Sequence, residues 1–214
     1  MGGSVLSTAP DSHRITTVEQ LREVIAPPSD RVEAKLWVSL DDSCIDFIAR
    51  SPFLMMATAD AEGNQNVSPK GDAPGFVIVE DAKTLLIPDR PGNNLAFGLL
   101  NILANPHVGL IFIIPGTSET LRVNGTAELT ADPQVLERLS ARGKPAVVGI
   151  RVHVTQVFYH CAKAFIRSEL WKPESWPEPK KISFGKILAE RTKAGAKAAE
   201  AIDRDIEEDY RTNL

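Results

Sequence analysis

Asn66-Val-Ser-Pro-Lys-Gly71 and Asp89-Arg-Pro-Gly-Asn-Asn94 decide how this chain is read. Each follows or ends a run suited to a β-strand, and each gathers cations, small residues and amides where the strand stops. Pro69 has no amide hydrogen, so a strand containing it must stop there or lie at a sheet edge. Lys70 then projects from a strand end, and Gly71 permits close backbone approach. In the second segment, a helix starting at Asn93 or Asn94 would present free N–H groups and a positive dipole end. Arg90 adds a fork able to clamp a phosphate through two bonds. Two such strand-end loops suit a phosphorylated planar ligand. Simpler readings are a turn with a solvated lysine and plain N-capping by asparagine.

The flanking segments are mainly β. Phe53–Ala59 and Gln65–Ser68 form one expected hairpin around Gly63, and Phe76–Val79 and Thr84–Ile87 form a second around Glu80–Lys83. Val108–Ile114 is β-like. Thr120–Thr130 alternates, with Leu121, Val123, Ala127 and Leu129 on one face and Thr120, Arg122, Asn124 and Glu128 on the other. Ala146–Tyr159 is a long strand with Val148, Ile150, Val152 and Val154 on one side.

Helices are expected after Thr16 or Thr17, from Asp42 or Ser43 to Ser51, over Asn94–Leu103, after Asp132-Pro133, and in the Ala/Glu/Lys/Arg-rich tail from Ser183 to Tyr210. Seven strand candidates with short helices between them favour a small barrel over a doubly wound sheet. The domain reading is a disordered leader over 1–15, a barrel domain with N-terminal helices over 16–178, and a helical extension over 179–214.

Composition narrows the function. A 43 % apolar and 24 % charged chain of net charge -4 has an ordinary globular balance. It lacks the clustered basic residues of a nucleic-acid binder. Cys44 and Cys161 lie far apart with no C-x-x-C, which fits a reducing cytoplasm without disulfide or zinc. No signal-peptide or membrane-length apolar stretch is apparent, and no dinucleotide, Walker or nucleophile-elbow motif occurs. His153 and His160 lack metal-ligand spacing with another donor, and no residue is an evident general acid or base.

Two further groups are candidates. Arg122, mid-strand on the polar face, either reaches a phosphate in a barrel mouth or pairs with Glu119 or Glu128. If His160–Trp171 is helical, Lys163, Arg167 and Trp171 share one face at i, i+4 and i+8. That face suits an anionic ligand with a flat ring system, and equally a solvated helix with Trp171 tucked into the core.

Together, in order and spacing, the segments from about Phe53 to Trp171 resemble the pyridoxamine 5'-phosphate oxidase-like FMN-binding split barrels. Ala57–Gly63 looks like that family's first hairpin, and Asn66–Lys70 like the strand lining its flavin. Leu86–Asn94 and Asn105–Leu110 look like its phosphate loop, helix and next strand, and Thr120–Gly125 like its strand ending in a glycine turn. His160-Cys-Ala-Lys-Ala-Phe-Ile-Arg-Ser-Glu-Leu-Trp171 is similar to a signature of an uncharacterised bacterial subgroup.

The resemblance implies a six-stranded Greek-key split barrel, a homodimer, and FMN bound between subunits. Arg90, Asn93, Asn94 and Arg122 would hold the phosphate. Asn66, Val67, Ser68 and Lys70 would run along the ring system, and Lys163, Arg167 and Trp171 would close the site, from the partner subunit in one arrangement. The implied function is FMN-dependent oxidation or reduction of a small molecule. Alternatives are a non-catalytic flavin carrier or sensor, or a split barrel holding haem or a deazaflavin. The family's C-terminal Arg-Leu-His segment has no counterpart here, so fold and cofactor carry over better than vitamin B6 chemistry.

Overall fold

A computed structural model describes residues 13–213. The expected leader falls mostly on residues 1–12, outside the described residues. Contacts divide the chain into two units, one ending at Leu36 and one beginning at Trp37.

In the first unit, α1 (Val18–Val24) starts where the sequence places it. Thr17 Oγ1 accepts from the Gln20 amide, and the Gln20 side chain accepts from the Thr17 amide. This reciprocal pair satisfies two otherwise orphan donors. A single-turn helix, α2 (Asp30–Glu33), was not foreseen.

The second unit opens with α3 (Asp42–Arg50), capped by Asp41 Oδ1, which accepts from the Cys44 amide at 2.9 Å. Its buried face of Cys44, Phe47 and Ile48 joins the core. Seven strands follow: β1 (Phe53–Ala59), β2 (Gln65–Gly71), β3 (Ile78–Asp81), β4 (Thr84–Asp89), β5 (His107–Ile113), β6 (Thr120–Thr130) and β7 (Val148–His160). All pair antiparallel in the order β2-β1-β5-β6-β7-β4-β3. The sheet is open, with β2 and β3 at its margins. This is the expected mainly-β split-barrel architecture, with seven strands where six were expected.

Pro69 lies inside β2, and β2 is a margin strand, as its missing donor requires. The alternation in β6 runs from Leu121 to Glu128, and the register shift between Asn124 and Gly125 is taken up by the extra residue Thr155 on β7. There Gly125 lies tight against the His153 carbonyl. One face of the sheet packs Leu54, Met56, Leu110, Phe112, Leu121, Val123, Ile150 and Val152 into the core.

Helix α4 (Phe97–Ala104) begins later than expected. Asn94 and Ala96 have φ of 59° and 51°, so the chain is left-handed where helix was read from Asn94. Asn93 does not cap the helix. Its Oδ1 accepts from the Leu95 amide two residues on, at 3.1 Å, a local turn that competes with helix. Helix α5 spans Pro133–Arg138, capped by Asp132.

After β7, α6 (Lys163–Ser168) stops at Glu169, where φ is 52°. Trp171 therefore lies beyond the helix and does not share a helical face with Lys163 and Arg167. The tail forms two helices, α7 (Phe184–Thr192) and α8 (Ala196–Thr212), which pack together through Gly185 and Ala199 and are joined by Asp203 bonding the Ser183 hydroxyl and the Gly185 amide.

Candidate functional site

Strand period places Asn66, Ser68 and Lys70 on one face of β2. They line a cleft of about 430 Å³ together with Asp89, the loop from Arg90 to Ala96, and the start of α4. The two quoted segments, some twenty residues apart, thus meet in one place. Six candidates are brought together here: Asn66, Ser68, Lys70, Arg90, Asn93 and Asn94.

The remaining five do not line this cleft in their own chain. Val67 points to the other face of β2 and is 54 % exposed, which follows from the same period-two alternation. Arg122 pairs in register with Ile111 and Phe158, and its guanidinium stands over the Phe158 ring at 5.1 Å. Among the described residues it makes no ion pair with Glu119 or Glu128. Lys163 and Arg167 are exposed on α6. Trp171 stacks against Phe165, with ring centroids 5.7 Å apart, and its indole N–H donates to the Thr117 carbonyl at 2.9 Å.

The cleft's cations are already engaged. Lys70 is ion-paired with Asp89. Arg90 directs Nε and Nη2 at Asp72 Oδ2, each at 3.1 Å. Sequence reading missed Asp72 as a partner of Arg90 and named Asp89 only as part of its motif. Proximity in sequence points to the wrong pairing, because Asp72 stands near Lys70 and Asp89 beside Arg90, yet each bonds the cation of the other segment. An arginine has five donors, and the Asp72 bonds use two of those on Arg90.

One buried side-chain polar atom in the cleft has no partner. Ser68 Oγ is fully buried and makes no hydrogen bond. It is covered by α4, since a Cβ on Gly98 would stand 3.8 Å from both Ser68 Oγ and Asn66 Nδ2. A buried hydroxyl left unpaired costs about 1–3 kcal/mol, so such an atom calls for a ligand-side explanation. The donor set also fits a phosphorylated aromatic group, with amides and a hydroxyl along one wall and an arginine fork at one end. The volume lies within the usual small-ligand range of about 300–1,000 Å³.

A second cavity of about 290 Å³ adjoins it, sharing Arg90. It is lined by Asp72, Phe76, Arg138 and Arg142, among others. Arg138 bonds Glu80, which also accepts from Arg151. Burial pushes the Glu80 carboxyl up, but the bonds and charges of Arg138 and Arg151 outweigh it and hold the group below its ordinary value.

Among the described residues, no His, Cys, Asp and Glu side chains cluster in a way that could hold a metal ion. No helix among them is long and apolar enough to cross a membrane.

Residues 40–161 match the family model described as pyridoxamine 5'-phosphate oxidase, which is more than half of the chain. Among solved structures, HupZ of Group A Streptococcus is 22 % identical, with a TM-score of 0.46 over 56 % of this chain and 93 % of its own. A candidate pyridoxamine 5'-phosphate oxidase from Lactobacillus delbrueckii is 24 % identical, with a TM-score of 0.43 over 56 % and 93 %. HutZ, the heme storage protein of Vibrio cholerae, is 18 % identical, with a TM-score of 0.40 over 56 % and 93 %. No curated protein matches the chain significantly. The match over residues 40–161 spans all seven strands among the described residues, and the chain belongs to the pyridoxamine 5'-phosphate oxidase family.

Proposed function

We propose that the cleft binds FMN and that the protein is an FMN-dependent oxidoreductase acting on a small molecule. The observation that carries this reading is the buried, unpartnered Ser68 hydroxyl in a cleft that also holds Lys70 and Arg90. Bound there, FMN supplies the capacity to accept and pass on a hydride or electrons.

The chain's own residues supply position and field. Arg90 holds the phosphate with the donors not used on Asp72, and the amides of Asn93 and Asn94 assist. Asn66 and Ser68 hydrogen-bond the polar edge of the ring system. Lys70 lies near that edge and stabilises negative charge developing there. Helix α4 and the wall of β2 keep water from the buried side. The adjoining cavity, with Arg90, Arg138 and Arg142 on its wall, is assigned to an anionic second substrate.

The active form is assigned as a homodimer. Lys163, Arg167 and Trp171 do not line the cleft of their own chain, and in this dimer they are assigned to the cleft of the second copy. A monomer in sedimentation that retains FMN would contradict this part.

The deciding experiment is the double variant Arg90→Ala, Asn94→Ala, with FMN affinity read by flavin fluorescence. A loss of tenfold or more, about 1.4 kcal/mol, with far-UV circular dichroism unchanged is expected. Undiminished affinity overturns the phosphate assignment. Turnover of NADH or NADPH with an acceptor separates an oxidoreductase from a flavin carrier.

A further inference from the structure

We propose that Asp72 and Asp89 are specificity-determining residues of the cleft: as counter-ions of Arg90 and Lys70, they hold down its affinity for anions relative to neutral ligands. The inference rests on the cleft being the seat of a phosphorylated ligand.

Each strand end carries one cation and one acid. Lys70 is the last residue but one of β2 and Asp72 lies just beyond its end, while Asp89 closes β4 and Arg90 follows it. Each cation is bonded to the carboxylate on the other segment. Because β2 is one margin of the sheet and β4 lies next to the opposite margin, the two pairs cross the split of the barrel. No backbone ladder joins these strands.

Both pairs are shielded. Side-chain exposures are 17 % and 18 % for Lys70 and Asp89, and 26 % and 12 % for Arg90 and Asp72. Charges at this depth are screened less than surface ions. The four groups sum to zero formal charge, so a cleft that looks cationic in sequence offers no free cation from this set. An anion reaching Lys70, or the free donors of Arg90, also meets the full carboxylate bonded to that cation. The repulsion grows with the charge of the ligand. The acids therefore lower the cleft's affinity for anions, a dianion most of all, and leave a neutral ligand little affected.

Asp72→Asn and Asp89→Asn test this, because asparagine keeps an acceptor oxygen and removes the charge. Inorganic phosphate is titrated by calorimetry into the full chain and into each variant, alongside FMN and riboflavin by fluorescence. Each variant is expected to bind inorganic phosphate about tenfold more tightly, as removing a nearby like charge requires. FMN should tighten with it, and riboflavin should be unmoved by Asp72→Asn. Phosphate affinity equal or weaker in both folded variants overturns the proposal. Tighter phosphate binding without any flavin binding would retain it and defeat the FMN reading alone. Flavin binding with no phosphate response would do the reverse. If either variant fails to fold, the unaltered chain decides: with its cations offset, it should bind dianionic phosphate no more than about threefold more tightly than monoanionic dimethyl phosphate. A preference of about tenfold or more for the dianion overturns the proposal, and a smaller one, or no binding of either, retains it.

Discussion

Lys70, at the end of β2, is ion-paired with Asp89, at the end of β4, although the two strands never hydrogen-bond to each other. The pair ties opposite sides of an open sheet. Lys70→Met should leave the Asp89 carboxylate partly buried and unpaired, lowering stability by about 1.5–3 kcal/mol. Adding Asp89→Asn should recover part of that loss. Denaturant melts of the four-member cycle read the coupling, and additive single effects would mean that the pair contributes nothing.

Ser68 offers a test in which stability and binding move in opposite directions. In the flavin-free protein, Ser68→Ala removes an unsatisfied buried hydroxyl and should stabilise the fold by up to about 1 kcal/mol. The same change should weaken FMN binding. A variant that loses stability would place a hidden structural bond on that oxygen.

Gly125 governs how β6 meets β7. A Cβ there would strike the His153 carbonyl and stand 3.2 Å from Val152 Cγ1. Because the obstacle is backbone, Gly125→Ala should cost about 2–3 kcal/mol, seen as a lowered Tm. An unchanged Tm would mean that the register shift relaxes freely.

Glu80 should contribute to the acid limb of stability. Its carboxyl is held below the ordinary 4.5 in the fold by Arg138 and Arg151, against the opposing effect of burial. A lowered native value gives stabilisation that is complete above the unfolded value. It is lost as pH falls from about 5 through the native value. Glu80→Gln should therefore lower Tm at neutral pH and flatten its decline over that window. An acid limb of unaltered slope would reject the assignment.

Much of this was legible in the sequence because local rules suffice. Thr17 announces a helix start, and Pro69 requires an edge. The face shared by Asn66, Ser68 and Lys70 follows from strand period alone, and the same period excludes Val67. What failed depends on backbone states that side-chain type does not specify. Asn93 and Asn94 look like caps, yet Asn94 is left-handed and the helix waits until Phe97. Glu169 likewise ends α6 before Trp171 can join its face. The placement of Arg122 over Phe158 needs the β6–β7 register, which no single segment encodes. The acids paired with Lys70 and Arg90 were visible as letters, but their cross-bonding depends on the sheet curling round to bring β2 beside β4.

Pro69 has one more consequence. Proline is accommodated in a margin strand with its donorless nitrogen turned away from the ladder. A strand arriving from another molecule needs an unbroken row of donors and acceptors. At β2 that row has a gap, so this rim is a poor template for open-ended fibril growth.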